Sequence, residues 1–233
     1  MGWGGLRCYI CHQPTALPTC MACQAKLMPT MAWLPSLPGI CLGASFYDYN
    51  AVVKRVIQEV KFHGNHRLGQ RLANAMGTLA IPPIFLDSDA IVAVPSHWLR
   101  QWWRGRPHIP RLFGPLLRQH QRGISPYLVR RRYTRPSIGL SRQDRLRKGH
   151  HFGWRGPNHM ESVTLLDDVC TTGATLTALA QLLKYQGIAT VKALVIAHVD
   201  TQHINRIDVP TDFTRHPGGL ARIGQLRSCG HGD

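Results

Sequence analysis

The sequence predicts an α/β fold built on a parallel sheet, preceded by a small four-cysteine module. Three observations carry this. Short apolar runs rich in Val and Ile, at 89–95, 162–168 and 190–199, alternate with stretches of helical periodicity. Four of the seven cysteines fall in the first 23 residues as two C-x2-C pairs. Hydrophobic residues make up 44% of 233, enough for a core and too many for a disordered basic chain.

The elements follow in order. Cys8, Cys11, Cys20 and Cys23 form C-x2-C-x8-C-x2-C, each pair able to present two thiolates from one turn. Four soft ligands so held suit tetrahedral Zn²⁺, whose binding would supply most of the folding energy of so short a segment. Two disulfides are the alternative; a reducing compartment disfavours them. His12 and Cys41 are spare candidates, with bystander the commoner role for each. MPTMAWLPSLPG (28–39) reads as a proline-rich connector, and FYDYN (46–50) as a short strand or turn. Val52, Val53, Val56, Ile57 and Val60 make an amphipathic helix of 51–62, and 66–80 a second helix. DAIVAVP (89–95) reads as a buried strand ended by Pro95. A helix over 108–121 and a strand at 127–131 follow. SVTLLDD (162–168) is a strand stopped by paired acids, 174–187 a helix closed by Gly187, and 190–199 the last buried strand. The expected units are 1–42 (module and linker), 43–200 (α/β domain) and 201–233 (disordered tail).

Lys+Arg number 28 against 12 Asp+Glu, a formal charge of +16. The excess is concentrated: between Trp98 and Arg155 stand fifteen Lys/Arg and one acid, Asp144. Natural surfaces mix both signs, so this imbalance favours phosphate ligands, either a phosphorylated metabolite or a nucleic-acid backbone. Trp98, Trp102, Trp103, Tyr133, Phe152 and Trp154 are interleaved with it. Exposed rings of this kind stack on bases, although large aromatics more often serve the core. No apolar run reaches the ~18 residues of a membrane span, and the start shows neither a secretory signal nor a myristoylation pattern. A cytoplasmic protein without membrane insertion is expected.

The chemistry concentrates in VTLLDDVCTTGAT (163–175). In open α/β sheets ligands bind beyond the carboxyl ends of strands, where this turn falls. Its backbone N–H groups and the following helix dipole form an anion site, to which Thr171, Thr172 and Thr175 add hydroxyls. Gly173 allows close approach. Paired carboxylates facing a phosphate would repel it, but one step back they accept hydrogen bonds from vicinal sugar hydroxyls. Ribose 5-phosphate meets those demands. G-x-x-x-x-G-K-[ST] and G-x-G-x-x-G are both absent, excluding a P-loop nucleotidase and the dinucleotide fingerprint.

This segment resembles the 5-phosphoribosyl-1-pyrophosphate (PRPP) motif of type I phosphoribosyltransferases, with Thr164 and Cys170 where apolar residues are usual. The resemblance implies a type I phosphoribosyltransferase-like sheet. It also implies ribose contacts by Asp167 and Asp168, a 5′-phosphate cradle of Thr171, Thr172, Gly173, Ala174 and Thr175, and Mg²⁺ carried in with PRPP. The wider arrangement of cysteine pairs, Lys61-Phe62, AVPSHWLRQWWRG (93–105) and a basic loop resembles the ComF family of competence proteins over about residues 8–199. By that resemblance Pro95, Ser96 and His97 form the pyrophosphate loop, and 130–152 a mobile basic loop. Arg130, Arg131, Arg132 and Arg145 there are the nucleic-acid candidates. Arg104-Gly105-Arg106-Pro107 keeps half of the family's Arg-Gly-Phe-Asn segment, Ser137 and Lys148 replace its Gln and Asn, and a second cysteine pair is reduced to Cys41.

The resemblance implies a protein that binds PRPP and single-stranded DNA in DNA uptake during natural transformation, with membrane-associated uptake machinery as a partner. A catalytic phosphoribosyltransferase of nucleotide salvage is the alternative, and a zinc-organised nucleic-acid module with an idle PRPP site a third reading. No residue set announces an acceptor base. His97, His108, His150 and His151 are the acid–base candidates, with phosphate contact or plain surface the commoner role for each.

Overall fold

A computed structural model describes residues 6–95, 108–130 and 152–199. Ser96, His97, Arg131, Arg132, Arg145 and the expected tail 201–233 lie outside the described residues.

Asn50 starts the first long helix: its Oδ1 accepts the N–H groups of Val52 and Val53, both at 2.9 Å. That helix, α2 (Ala51–Phe62), follows a short α1 (Met21–Lys26) and buries the five apolar residues of the expected stripe. α3 (His66–Met76) ends at Gly77, earlier than the spacing predicts. α4 is His108–Gln119, and α5 is Ala174–Tyr185. Past α5, Gly187 takes φ +87° and Ile188 N–H returns to Leu183 O, the left-handed stop expected of that glycine.

The strands are β1 (Ala32–Trp33), β2 (Leu42–Asp48), β3 (Ala90–Ala93), β4 (Leu128–Arg130), β5 (Phe152–Trp154), β6 (Ser162–Cys170) and β7 (Thr190–His198). Five form one sheet in the order β1-β2-β7-β6-β3. β2, β7, β6 and β3 run parallel, and β1 is an antiparallel edge. β4 and β5 pair as a separate antiparallel ribbon.

Period-two alternation sends successive residues of the central strands to opposite layers. Leu166, Leu194 and Ile196 pack with α2, α3 and α4. Val163, Leu165, Val191, Ala193 and Val195 pack with Leu176, Leu179 and Leu183 of α5. The parallel strands are thus covered on both faces and their carboxyl ends brought to one edge.

Three local expectations change. The FYD of FYDYN closes a seven-residue strand, β2, whose Gly, Ala and Ser conceal its first half from propensity; pairing with β7 supplies what its composition lacks. The proline-rich connector contributes β1, and its Leu37 enters the α5-side core. Phe152 and Trp154 form β5 and pack. Phe152 is buried, and Trp154 meets Tyr127 edge-on at 5.7 Å between centroids.

The cysteine segment shares the core of the larger layer. Cys8, Ile10, Cys23 and Met31 cluster with Val53, Leu72 and Phe46, and Arg71 donates to Thr19 Oγ1 at 2.6 Å. Among the described residues no helix is long and apolar enough to cross a membrane.

Candidate functional site

β6 runs past its paired acids to Cys170 before the chain turns through Thr171, Thr172 and Gly173 into α5. Gly173 takes φ +72°, the left-handed conformation that only glycine adopts without cost. Leu37 lies directly above it: a Cβ on Gly173 would stand 2.3 Å from Leu37 Cδ2. Thr172 Oγ1 accepts the N–H of Ala174, and the first turn of α5, with Thr175, leaves N–H groups without intrahelical partners. The Gly173 N–H meets the Cys170 thiol, which burial, with Asp167 nearby, pushes up to about 11. Cys170 is buried in the α5-side core and packs as a residue of the turn.

Strand alternation separates the acids. Asp167 faces the α5 layer and is half-buried; Asp168 faces the α2–α4 layer and is buried. Asp168 Oδ2 forms an ion pair with Lys61 Nζ from the end of α2 and meets His108 Nε2, at the start of α4, at 2.8 Å. Its Oδ1 accepts the N–H of Val169 at 2.9 Å. Burial alone would raise Asp168, but the His108 hydrogen bond and the Lys61 ammonium override it and hold this carboxyl well below the usual carboxylate range. Asp167 moves the other way: burial first, then the Asp168 charge, push it up to about 7.

Sequence reasoning singled out the acids and the turn but not Lys61 as a partner of Asp168. Lys61 and Asp168 are 107 residues apart, and Lys61 was marked only as the end of an amphipathic helix and as part of the family resemblance. His108 was one of four acid–base candidates; the fold brings it to Asp168.

At the neighbouring strand end, Pro95 follows β3 beside β6. Pro95, Val94, His108, Ile109, Ser125 and Leu128 help to line a cavity of about 310 Å³. His108 thus touches both the cavity and the acid pair. Of the basic candidates, Arg130 is described; its guanidinium lies 5.3 Å from the Phe152 ring centre, a cation–π contact.

The four N-terminal cysteines converge. Their Sγ atoms all lie within 4.8 Å of one another, and none is disulfide-bonded. Zn–S bonds of about 2.3 Å in a tetrahedron place sulfurs about 3.8 Å apart; Cys11 Sγ and Cys20 Sγ stand at 3.6 Å. The N–H groups of Ile10 and Cys20 donate to Cys8 Sγ at 3.4 Å each. Burial opposes ionisation of Cys8, but backbone donors from Cys11, Cys20 and Ile10 bring its thiol down to about 6. The cluster is compatible with a zinc ion, and Cys41 is not part of it. Because Cys8, Ile10 and Cys23 are built into the main core, Cys8→Ser is expected to lower the melting temperature of the whole chain and to release about one zinc per chain. Calorimetry with metal analysis checks this; an independent second transition would show that the cysteine segment melts alone.

Comparison with known proteins adds to this geometry. The chain is similar to the DNA utilization protein YhgH of Escherichia coli K12. The two are 28% identical over 208 residues, covering 82% of this chain and 88% of YhgH. YhgH of Salmonella typhi is 29% identical over 218 residues, covering 79% of this chain and 93% of that protein. YhgH of Shigella flexneri is 28% identical over 208 residues, covering 82% and 88%. No family model matches the chain.

Proposed function

We propose that this chain is a ComF-type, type I phosphoribosyltransferase-like protein that binds PRPP, with Mg²⁺ carried in by the ligand, and contacts single-stranded DNA during DNA uptake. The observation that carries PRPP binding is the edge where β6 delivers two carboxylates and a left-handed Gly173 turns the chain into α5. A sugar phosphate needs hydroxyl acceptors beside an anion cradle, and this edge supplies both within nine residues, Asp167 to Thr175. Pro95 would open the pyrophosphate loop, with Ser96 and His97. Mg²⁺ would enter with the ligand and offset its negative charge, and no protein residue is assigned to it.

The DNA role is supported by the name of the YhgH relatives and by the fifteen-to-one excess of basic residues between Trp98 and Arg155. Arg130, Arg131, Arg132 and Arg145 are the proposed backbone contacts, in a cytoplasmic protein that works beside the membrane-associated uptake machinery. The proposed units are a cysteine module to residue 42, a ligand-binding domain to 200, and a tail.

Calorimetric titration of PRPP with Mg²⁺, with and without a short single-stranded oligonucleotide, tests the whole. PRPP binding that changes when DNA is present is the expected result, since linked sites shift one another's affinity equally. DNA affinity is expected to fall with salt at a slope of about −0.7 per phosphate neutralised. Absence of PRPP binding would overturn the ligand assignment. Diphosphate release that depends on one nucleobase would establish the salvage enzyme instead.

A further inference from the structure

Asp168 has little left to offer a sugar hydroxyl. Its Oδ2 takes both Lys61 and His108, its Oδ1 takes the Val169 N–H, and the side chain is 9% exposed. A carboxylate has about four acceptor positions, so three are filled from within the fold. The two side chains that meet it are less spent. An ammonium has three donors and Asp168 uses one; an imidazole has two nitrogens and Asp168 uses one.

Exposure follows the same order. The Lys61 side chain is 24% exposed and His108 12%, with the carboxylate behind them. Asp167, on the opposite face of β6, has given Oδ1 to the neighbouring Asp168 N–H and is the more open acid.

A second observation locates His108. His108 lines the cavity that Pro95 also lines, which places this partner of Asp168 between the two strand ends, β3 and β6. A phosphate in the Thr171–Thr175 turn would occupy the far side of that edge. The other anionic group of a sugar bis-phosphorylated at opposite ends must then meet positive charge near β3.

We propose that Asp168 is a positioning residue that holds Lys61 and His108 for the diphosphate of the ligand, while Asp167 takes the ribose hydroxyls. The paired acids are thus not equivalent, and the assignment rests on the PRPP reading above. Without Asp168, the flexible stem of Lys61 has no fixed end, and its charge is no longer preorganised.

The full-length, zinc-loaded chain is titrated with three probes in Mg²⁺: PRPP, ribose 5-phosphate and inorganic diphosphate. Lys61→Met and His108→Asn are each expected to weaken diphosphate and PRPP about tenfold, the loss of one charge-assisted contact, and to leave ribose 5-phosphate within about threefold. Asp168→Asn follows the same pattern, and Lys61→Arg recovers part of the diphosphate affinity. Asp167→Asn does the reverse, losing ribose 5-phosphate and keeping diphosphate. If Lys61→Met fails to fold, His108→Asn and Lys61→Arg carry the comparison. Equal loss of ribose 5-phosphate in Asp167→Asn and Asp168→Asn, with diphosphate untouched by Lys61 and His108 variants, overturns the division of roles alone. A wild-type chain that binds none of the three probes overturns the PRPP reading and this inference together.

Discussion

Gly173→Val is expected to destabilise the chain by about 3 kcal/mol and to abolish PRPP binding. Two costs add. A β-branched residue at φ +72° meets the left-handed penalty of about 1–2 kcal/mol, and its Cβ would enter the space of Leu37 Cδ2, where overpacking costs about 1–3 kcal/mol. The two are separable, because Leu37 comes from the proline-rich segment and can be shortened independently. In Gly173→Val with Leu37→Ala, the steric part is relieved and the backbone part remains, so urea denaturation is expected to show the double variant as less damaged than the sum of its singles. Strict additivity would mean that Leu37 does not press on the turn.

The second large effect is a pair of substitutions with opposite signs. Asp168→Asn removes the charge that Lys61 and His108 share and is expected to cost about 3 kcal/mol near neutral pH. Asp167→Asn is expected to gain stability above pH 7 while still losing ribose affinity.

The signs come from the two shifts. Asp167 is raised from 3.8 to about 7, so between those values the native chain holds a proton that the unfolded chain releases. Its ionisation therefore subtracts stability progressively as pH rises across that window, and asparagine removes the penalty. Asp168 is depressed from 3.8, so its contribution is present above that value and is lost only as pH falls through the lower folded value. Thermal melts of both variants from about pH 4 to 8 check this: the Asp167→Asn advantage grows with pH, and the Asp168→Asn deficit persists throughout. Parallel curves for the two variants would contradict the asymmetry.

Much of this was legible in one dimension because it depends on neighbours in sequence. The stripe from Val52 to Val60 buries as one helix face, since the 3.6-residue period is local. The four cysteines meet because each C-x2-C pair already sets two sulfurs on one turn. Asp167, Asp168 and Gly173 fall at a strand end and a helix start because apolar β6 and α5 flank them directly. β2 and β5 were harder to read. β2 owes its state to β7, almost 150 residues later, and β5 is three residues, too short to show a period, with the core the commoner reading for its rings.

By itself, then, the sequence determined the long helices, the central strands β3, β6 and β7, the cysteine cluster, the acid pair and the turn, all products of short-range spacing and of side-chain chemistry. The tertiary structure alone decided which acid is which. Two adjacent aspartates are identical as text; only the pleat of β6 turns one toward Lys61 and His108, and only the packing of α2 and α4 on that face puts those side chains within reach. The placement of Leu37 over Gly173 has the same origin, for a contact between residues so far apart in the chain exists only once the sheet has brought their elements together.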